Sequence, residues 1–270
     1  MRIRLELSSY VIFIFLIVGA HLPLRAGQNA DGEPKHSGKV LQLLHEDYPP
    51  YVYRKDGKVI GTVAKLATDI ASRAGFAIEW RQTYYRRLVR EIQLSTKPLC
   101  AAGYNQLHKD TYDVVVSKPF AWFPGSALAI RKSDVDLFEK HRSITDIMND
   151  KSLRGAFLMG AKYKGVGEDV KKGHVERHIL IGSTDVELGL LVARGRVHFA
   201  VLNPDQTDHL RADVASNLAS YRPTGMAPPR NVGFICSKAT SDEISRRLND
   251  AIEPLPSYEV WGRDTKKITQ

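Results

Sequence analysis

The sequence predicts an α/β fold with largely parallel sheets, and three observations carry that expectation. Short apolar runs of strand length alternate with stretches of helical periodicity along most of the chain. Hydrophobic residues make up 43% and charged residues 26% of 270 positions, which supports a packed core and excludes a disordered or collagen-like chain. Two cysteines are too few for a disulfide-built scaffold or a zinc ribbon. At roughly 100–200 residues per domain, the length fits one large domain or two small ones.

The elements follow in order. Val40–His45 is a continuous apolar run, suited to a buried strand. The Asp47-Tyr-Pro-Pro50 segment ends it, because proline cannot continue a ladder. Tyr51–Tyr53 reads as a short strand and Lys55–Lys58 as a turn. From Val63 to Ala74 the apolar residues recur at i, i+3, i+4, i+7, i+8 and i+11, one face of a helix that Gly75 stops. Strands are then expected at Phe76–Trp80, Leu99–Ala102, Val114–Val116, Ala127–Ile130, Ala156–Met159, Ile179–Ile181, Phe199–Leu202 and Val232–Cys236. Helices are expected over Tyr85–Leu94, from the capping box Thr184–Glu187 to Arg194, and after a cap at Thr240–Glu243.

The first residues stand apart. Arg2 and Arg4 precede an uncharged run, Tyr10–Ala20. As a helix that run rises only about 16 Å, against about 30 Å of bilayer core. Basic start, apolar middle and small residues near a cut fit a secretory signal peptide, residues 1–26, followed by a polar linker, 27–37. Losing residues 1–26 lowers the formal charge from +9 to +7. Export to the periplasm would place Cys100 and Cys236 in an oxidising compartment, where either a disulfide or two buried thiols is open. The basic residues are scattered, so a nucleic-acid partner is not expected.

Five segments carry a resemblance. They are Asp47-Tyr-Pro-Pro-Tyr51 with Gly61; Cys100-Ala-Ala-Gly-Tyr104 with Ser117-Lys-Pro-Phe120; Leu153-Arg-Gly155 with Gly160–Gly165; Ala193–Val197 with Ala200–Leu202; and Val232–Lys238. In this order and spacing the chain resembles the family 3 extracellular solute-binding proteins. The resemblance implies a two-lobed, type II periplasmic-binding-protein fold, each lobe a mixed, mostly parallel sheet flanked by helices. Lobe 1 would comprise 38–131 and 231–270, and lobe 2 would comprise 132–230, with crossing strands near Ala127–Arg131 and Arg230–Phe234 as the hinge. It implies a monomer that shuts on a small-molecule ligand, with no cofactor and no metal, for delivery to an ABC permease. A membrane sensor is the other partner to weigh.

The same resemblance nominates cleft residues. Tyr51 and Tyr85 match positions where aromatics sandwich the ligand, although both types are common in cores. Arg86 or Arg87 would hold an anionic group, unless they form a solvated face. Gly103, Tyr104 and Asn105 end a strand where open sheets bind ligands. Gly160, Lys162 and Tyr163 would form an anion-favouring turn, and Ser183 would offer a hydroxyl or merely cap the next helix. The family's clamp for an α-amino acid is displaced: direct counting puts Asp110 and Pro204 where its arginine and carboxylate belong. A one-residue slip restores Lys109 and Asp205, with Asn203 beside them.

Other chemistries fail on spacing. Gly155 and Gly160 are followed by Ala161-Lys162, not by the Lys directly after Gly that a P-loop needs. No G-x-S-x-G elbow is present. His174 and His178 lack both the H-E-x-x-H glutamate and an evident third ligand. The expectation is therefore capture of a small polar or anionic solute without chemistry. The rivals are a dehydratase-like enzyme on the same scaffold, with Asp110 or Asp205 as acid or base, and a sensory module.

Overall fold

The computed structural model describes residues 39–104, 112–159, 161, 163, 166, 178–181 and 184–257. The expected leader and linker lie outside them, as do Asn105, Lys109, Asp110, Gly160, Lys162, His174 and Ser183. The described residues form one compact unit that contains two large sheets.

The first sheet begins with β1 (Val40–His45), whose run VLQLLH is buried on both faces. Leu41 and Leu43 face one core and Leu44 the other, as the two-residue strand period requires. After β1 the chain turns sharply: the Tyr51 and Val52 amides both donate to the Tyr48 carbonyl. The expected strand over Tyr51–Tyr53 is therefore displaced to β2 (Tyr53–Lys55), which forms a hairpin with β3 (Lys58–Ile60) through Asp56-Gly57, both at positive φ.

Helix α1 (Thr62–Arg73) buries Val63, Ala64, Ala67, Ile70 and Ala71 and ends before Gly75 at φ 77°. Strand β4 (Ala77–Gln82), α2 (Tyr85–Leu94) and β5 (Cys100–Tyr104) follow. Then come β6 (Val115–Val116) and β7 (Ala121–Phe123), the latter not expected from sequence. The sheet is completed by β13 (Arg230–Cys236), which returns antiparallel to β5, β6 and β7. The order is β4-β1-β5-β13-β6, with β4, β1 and β5 parallel.

The second sheet has the order β10-β9-β11-β8-β12: β8 (Ala127–Arg131), β9 (Gly155–Leu158), β10 (Ile179–Ile181), β11 (Phe199–Leu202) and β12 (Leu218–Tyr221). β10, β9 and β11 are parallel, while β8 and β12 are antiparallel additions. β8 had been expected to close the first lobe as a crossing strand. It lies within the second sheet between β11 and β12, and its Leu128 and Ile130 pack with Phe138, Phe157 and Phe199.

Helices α3 (Val135–Glu139), α4 (Ile144–Asn149), α5 (Asp185–Ala193) and α6 (Pro204–Asp213) flank this sheet, and α7 (Asp242–Ala251) returns to α1. Thr184 caps α5 as expected. The cap of α7 is Ser241 rather than Thr240, whose buried hydroxyl contacts Ser237 instead.

Cys100 and Cys236 form a disulfide between directly paired positions of β5 and β13. It joins the strand before the excursion into the second sheet to the strand that returns from it. No helix among the described residues is long and apolar enough to cross a membrane.

Candidate functional site

Open α/β sheets present ligand-facing groups where parallel strands end at their carboxyl edges. Here both sheets place such groups at one junction. Glu46 and Tyr48 follow β1, and Tyr104 ends β5. From the second sheet, Tyr163 follows β9, Asp185 opens α5 after β10, and Asn203 and Asp205 lie at the start of α6 after β11.

Hydrogen bonds cross the junction. The Tyr51 hydroxyl donates to Asp205 Oδ2 at 3.1 Å, and Asn203 Nδ2 donates to the Tyr48 hydroxyl at 2.8 Å. Tyr51 is held from behind. Its ring lies 4.3 Å from that of Phe123 and 5.3 Å from that of Tyr48, and its carbonyl accepts from the amides of Val63 and Ala64 at the start of α1. Only a residue without Cβ permits this, because a Cβ on Gly61 (φ 119°) would collide with the Tyr51 carbonyl. Asn203 is fixed in turn: its backbone N–H donates to Gln206 Oε1 in the first turn of α6. Pro204, counted above as a lost clamp position, is the N1 proline of that helix.

Around these bridges lies a set of groups with displaced titration. Glu46 is half-buried and accepts a hydrogen bond from the Tyr104 hydroxyl at 3.3 Å. Loss of water around its carboxyl, reinforced by the Asp185 charge, pushes its pKa up to about 8. Asp185 accepts from Gln206 Nε2 at 2.9 Å, and burial raises it to about 6. Burial also raises Tyr48, Tyr51 and Tyr163, with Asp185 adding to the shift of Tyr48 and Tyr163, and Asp205 to that of Tyr51. Arg230, at the start of β13, acts on Tyr48 in the opposite sense and stands 5.5 Å from the Phe123 ring centre.

Of the residues nominated from sequence, Tyr51, Tyr104, Tyr163, Asn203 and Asp205 gather here. Gly103 adopts φ 90° behind them, its Cα facing Phe123 and Val63. The Tyr163 hydroxyl accepts from the Leu158 amide and its ring packs on Phe157. Tyr85 and Arg86 open α2. Arg87 is not brought to the junction. It pairs with Glu91 at 2.6 Å on the exposed side of α2, in an outer groove shared with Arg81, Arg90 and Lys97.

The sequence reading missed Glu46, Tyr48, Asp185, Phe123 and Arg230. The rule that ligands meet the ends of parallel strands would have found Glu46, the first charged residue after a buried strand. Asp185 was absorbed into the reading of Thr184–Glu187 as a cap. No group of three or more metal-ligating side chains occurs among the described residues.

A family model described as bacterial extracellular solute-binding proteins, family 3, matches residues 42–257. No curated protein matches the chain. Among solved structures, it is similar to an amino-acid ABC-transporter substrate-binding protein from Streptococcus pneumoniae bound to L-arginine. That match has 18% identity and a TM-score of 0.61, covering 81% of this chain and 89% of that one. It is similar to an ancestral amino-acid-binding protein, a precursor of cyclohexadienyl dehydratase (17%, TM-score 0.63, 84% and 94% covered). A third likeness is a histidine-kinase sensor domain similar to periplasmic binding proteins (15%, TM-score 0.60, 87% and 94%). At these identities the structural likenesses establish the fold alone.

Proposed function

The chain belongs to the family 3 bacterial extracellular solute-binding proteins, and we propose that it captures a small polar solute at the junction between its two sheets and delivers it to an ABC permease. The reading takes the sheets as two lobes and places the working protein outside the cytoplasm, in keeping with the basic-then-apolar start of the sequence and with the family. One observation carries it. Tyr51–Asp205 and Tyr48–Asn203 reach across the junction beside an aromatic wall of Tyr48, Tyr51 and Phe123. A solute there touches both lobes only when they are shut, so binding and closure reinforce one another. Flat apolar walls with a few fixed polar groups suit a small polar molecule.

A thermal-shift screen of amino acids, polyamines, organic acids and short peptides tests this. A captured solute at a hundred times its Kd stabilises the protein by about 2.7 kcal/mol, a clear rise in Tm. If no solute in the panel moves the Tm, capture is the wrong reading.

A second reading has a specific observation behind it. Glu46 and Asp185 are pushed to different values, about 8 and about 6, so near neutral pH one carboxyl holds its proton while the other is largely ionised. That is the requirement for paired acid–base chemistry. Disappearance of a stabilising solute over time, followed by chromatography, would favour an enzyme over a carrier.

A further inference from the structure

Helix α2 turns Leu88, Val89 and Ile92 into the core beside Leu44 and Leu99. Its other face carries Arg87, Arg90, Glu91 and Leu94, at i, i+3, i+4 and i+7. Arg81 of the edge strand β4 and Lys97 of the loop after α2 join them, and together they line an open groove of about 570 Å³. We infer that this groove is a docking surface for a bilayer of anionic phospholipid, with its cations on headgroup phosphates and Leu94 entering among them.

Charge is the first observation. Among the described lining residues, Arg81, Arg87, Arg90 and Lys97 are cationic, and Glu91 is the carboxylate. Glu91 pairs with both Arg81 and Arg87, so one negative charge is shared between two guanidiniums and the groove keeps a positive excess. The backbone that presents these groups is braced. Every residue of β4 is in register with β1. The Ser95 hydroxyl accepts from the Lys97 backbone N–H at 3.2 Å and donates to the Lys97 carbonyl at 2.7 Å. The Ser237 hydroxyl donates to the same carbonyl at 2.8 Å.

Leu94 separates the kinds of partner. It is 68% exposed, on the helix face that carries the arginines. An apolar tip among long cationic side chains suits the interfacial zone of a bilayer, where the tip passes below the phosphates and the charges stay level with them. A nucleic acid would want a stacking platform, and none of the described lining residues is aromatic. An acidic protein would want pockets for its anchoring side chains, and the apolar group here projects outward. The +9 formal charge of the whole chain adds long-range attraction to the same surface. This goes beyond the capture reading and stands on different residues. The groove lies along α2, apart from the junction, so docking would keep a solute carrier beside the membrane without covering its site.

The test is cosedimentation of the full chain with vesicles of phosphatidylcholine, alone or mixed equally with phosphatidylglycerol. The mixed vesicles should bind it far more tightly than the neutral ones, and added salt should release it. A basic residue near an anionic surface contributes about fivefold, so Arg90→Gln with Lys97→Gln should weaken binding to the mixed vesicles about 25-fold. Lys140→Gln with Lys151→Gln removes the same charge from exposed positions beside the second sheet and should cost much less. Leu94→Ser should weaken binding several-fold. All these side chains are exposed, so the Tm should not move. Four results overturn the inference: no binding to either vesicle; equal binding to both; as large a loss in the Lys140 and Lys151 variant as in the groove variant; or no loss with Leu94→Ser. Binding of poly-L-glutamate that needs Arg90 and Lys97, with the vesicles left unbound, would assign the groove to an acidic protein instead. Solute capture is read separately. A solute that raises the Tm of wild type and groove variant alike upholds capture whatever the vesicles show.

Discussion

Glu46 and His45 are adjacent, and burial moves them in opposite directions. The carboxyl of Glu46 is raised, while the imidazole of His45, packed against Trp80, is lowered by loss of water. For Glu46 the folded protein holds a proton that the unfolded chain has released, over the range from about 4.5 to about 8. Stability from this group is therefore full below that range and is lost as pH rises through it. Asp185 acts the same way from 3.8 to about 6. His45 works oppositely, costing stability as pH falls below its ordinary 6.5. Denaturant unfolding at pH 5 and pH 8 separates them: the wild type should lose more stability at pH 8 than Glu46→Gln does. Equal losses would mean that Glu46 is not protonated in the fold. Tyr51→Phe addresses the bridge. A hydrogen bond to a carboxylate is worth about 1.5–3 kcal/mol, so the affinity for any stabilising solute should fall about tenfold or more with little change in Tm. An unchanged Kd would show that Tyr51–Asp205 does not hold the shut state.

At the scale of elements, the start of α1 decides where Tyr51 stands. Its first amides bind the carbonyls of Pro50 and Tyr51, and Gly61 lets them approach. Gly61→Ala forces a Cβ into the Tyr51 carbonyl at a φ that L-residues avoid, so a loss of about 2 kcal/mol or more is expected, with weakened solute binding. Unfolding midpoints and a binding isotherm check both. Helix α1 was legible in the sequence because its apolar residues keep helical spacing over three turns, and β1 because its apolar run is unbroken. Helices α3 and α4 span five and six residues, too short to display a period. Helix α6 was hidden for another reason: its core-facing positions include Gln206 and Thr207, which are buried polar residues. The site was legible in part. Tyr51 and Tyr104 stand beside turn and strand-end signals, but nothing local ties Glu46 to Asp185 across 139 positions. Only the sheet topology joins them.

On the scale of the whole molecule, the disulfide closes a loop of 136 residues that contains the entire second sheet. Chain-entropy reasoning puts the stabilisation at up to about 5 kcal/mol, and measured values run lower. Replacing both Cys100 and Cys236 with Ala should lower the calorimetric Tm by about 5–15 °C, and an unchanged Tm would mean that the bond is not formed in the working protein. The pairing of β5 with β13 holds the two ends of the excursion side by side, while Tyr51–Asp205 and Tyr48–Asn203 tie the sheets at the junction. The most direct test of solute capture is a crystal structure of the protein grown with a solute that raises its Tm. The account expects that molecule between Tyr48, Tyr51 and Phe123 on one side and Asp185 and Asn203 on the other. Density for it on an outer face, such as the groove beside Arg87, with the junction unchanged, would contradict it.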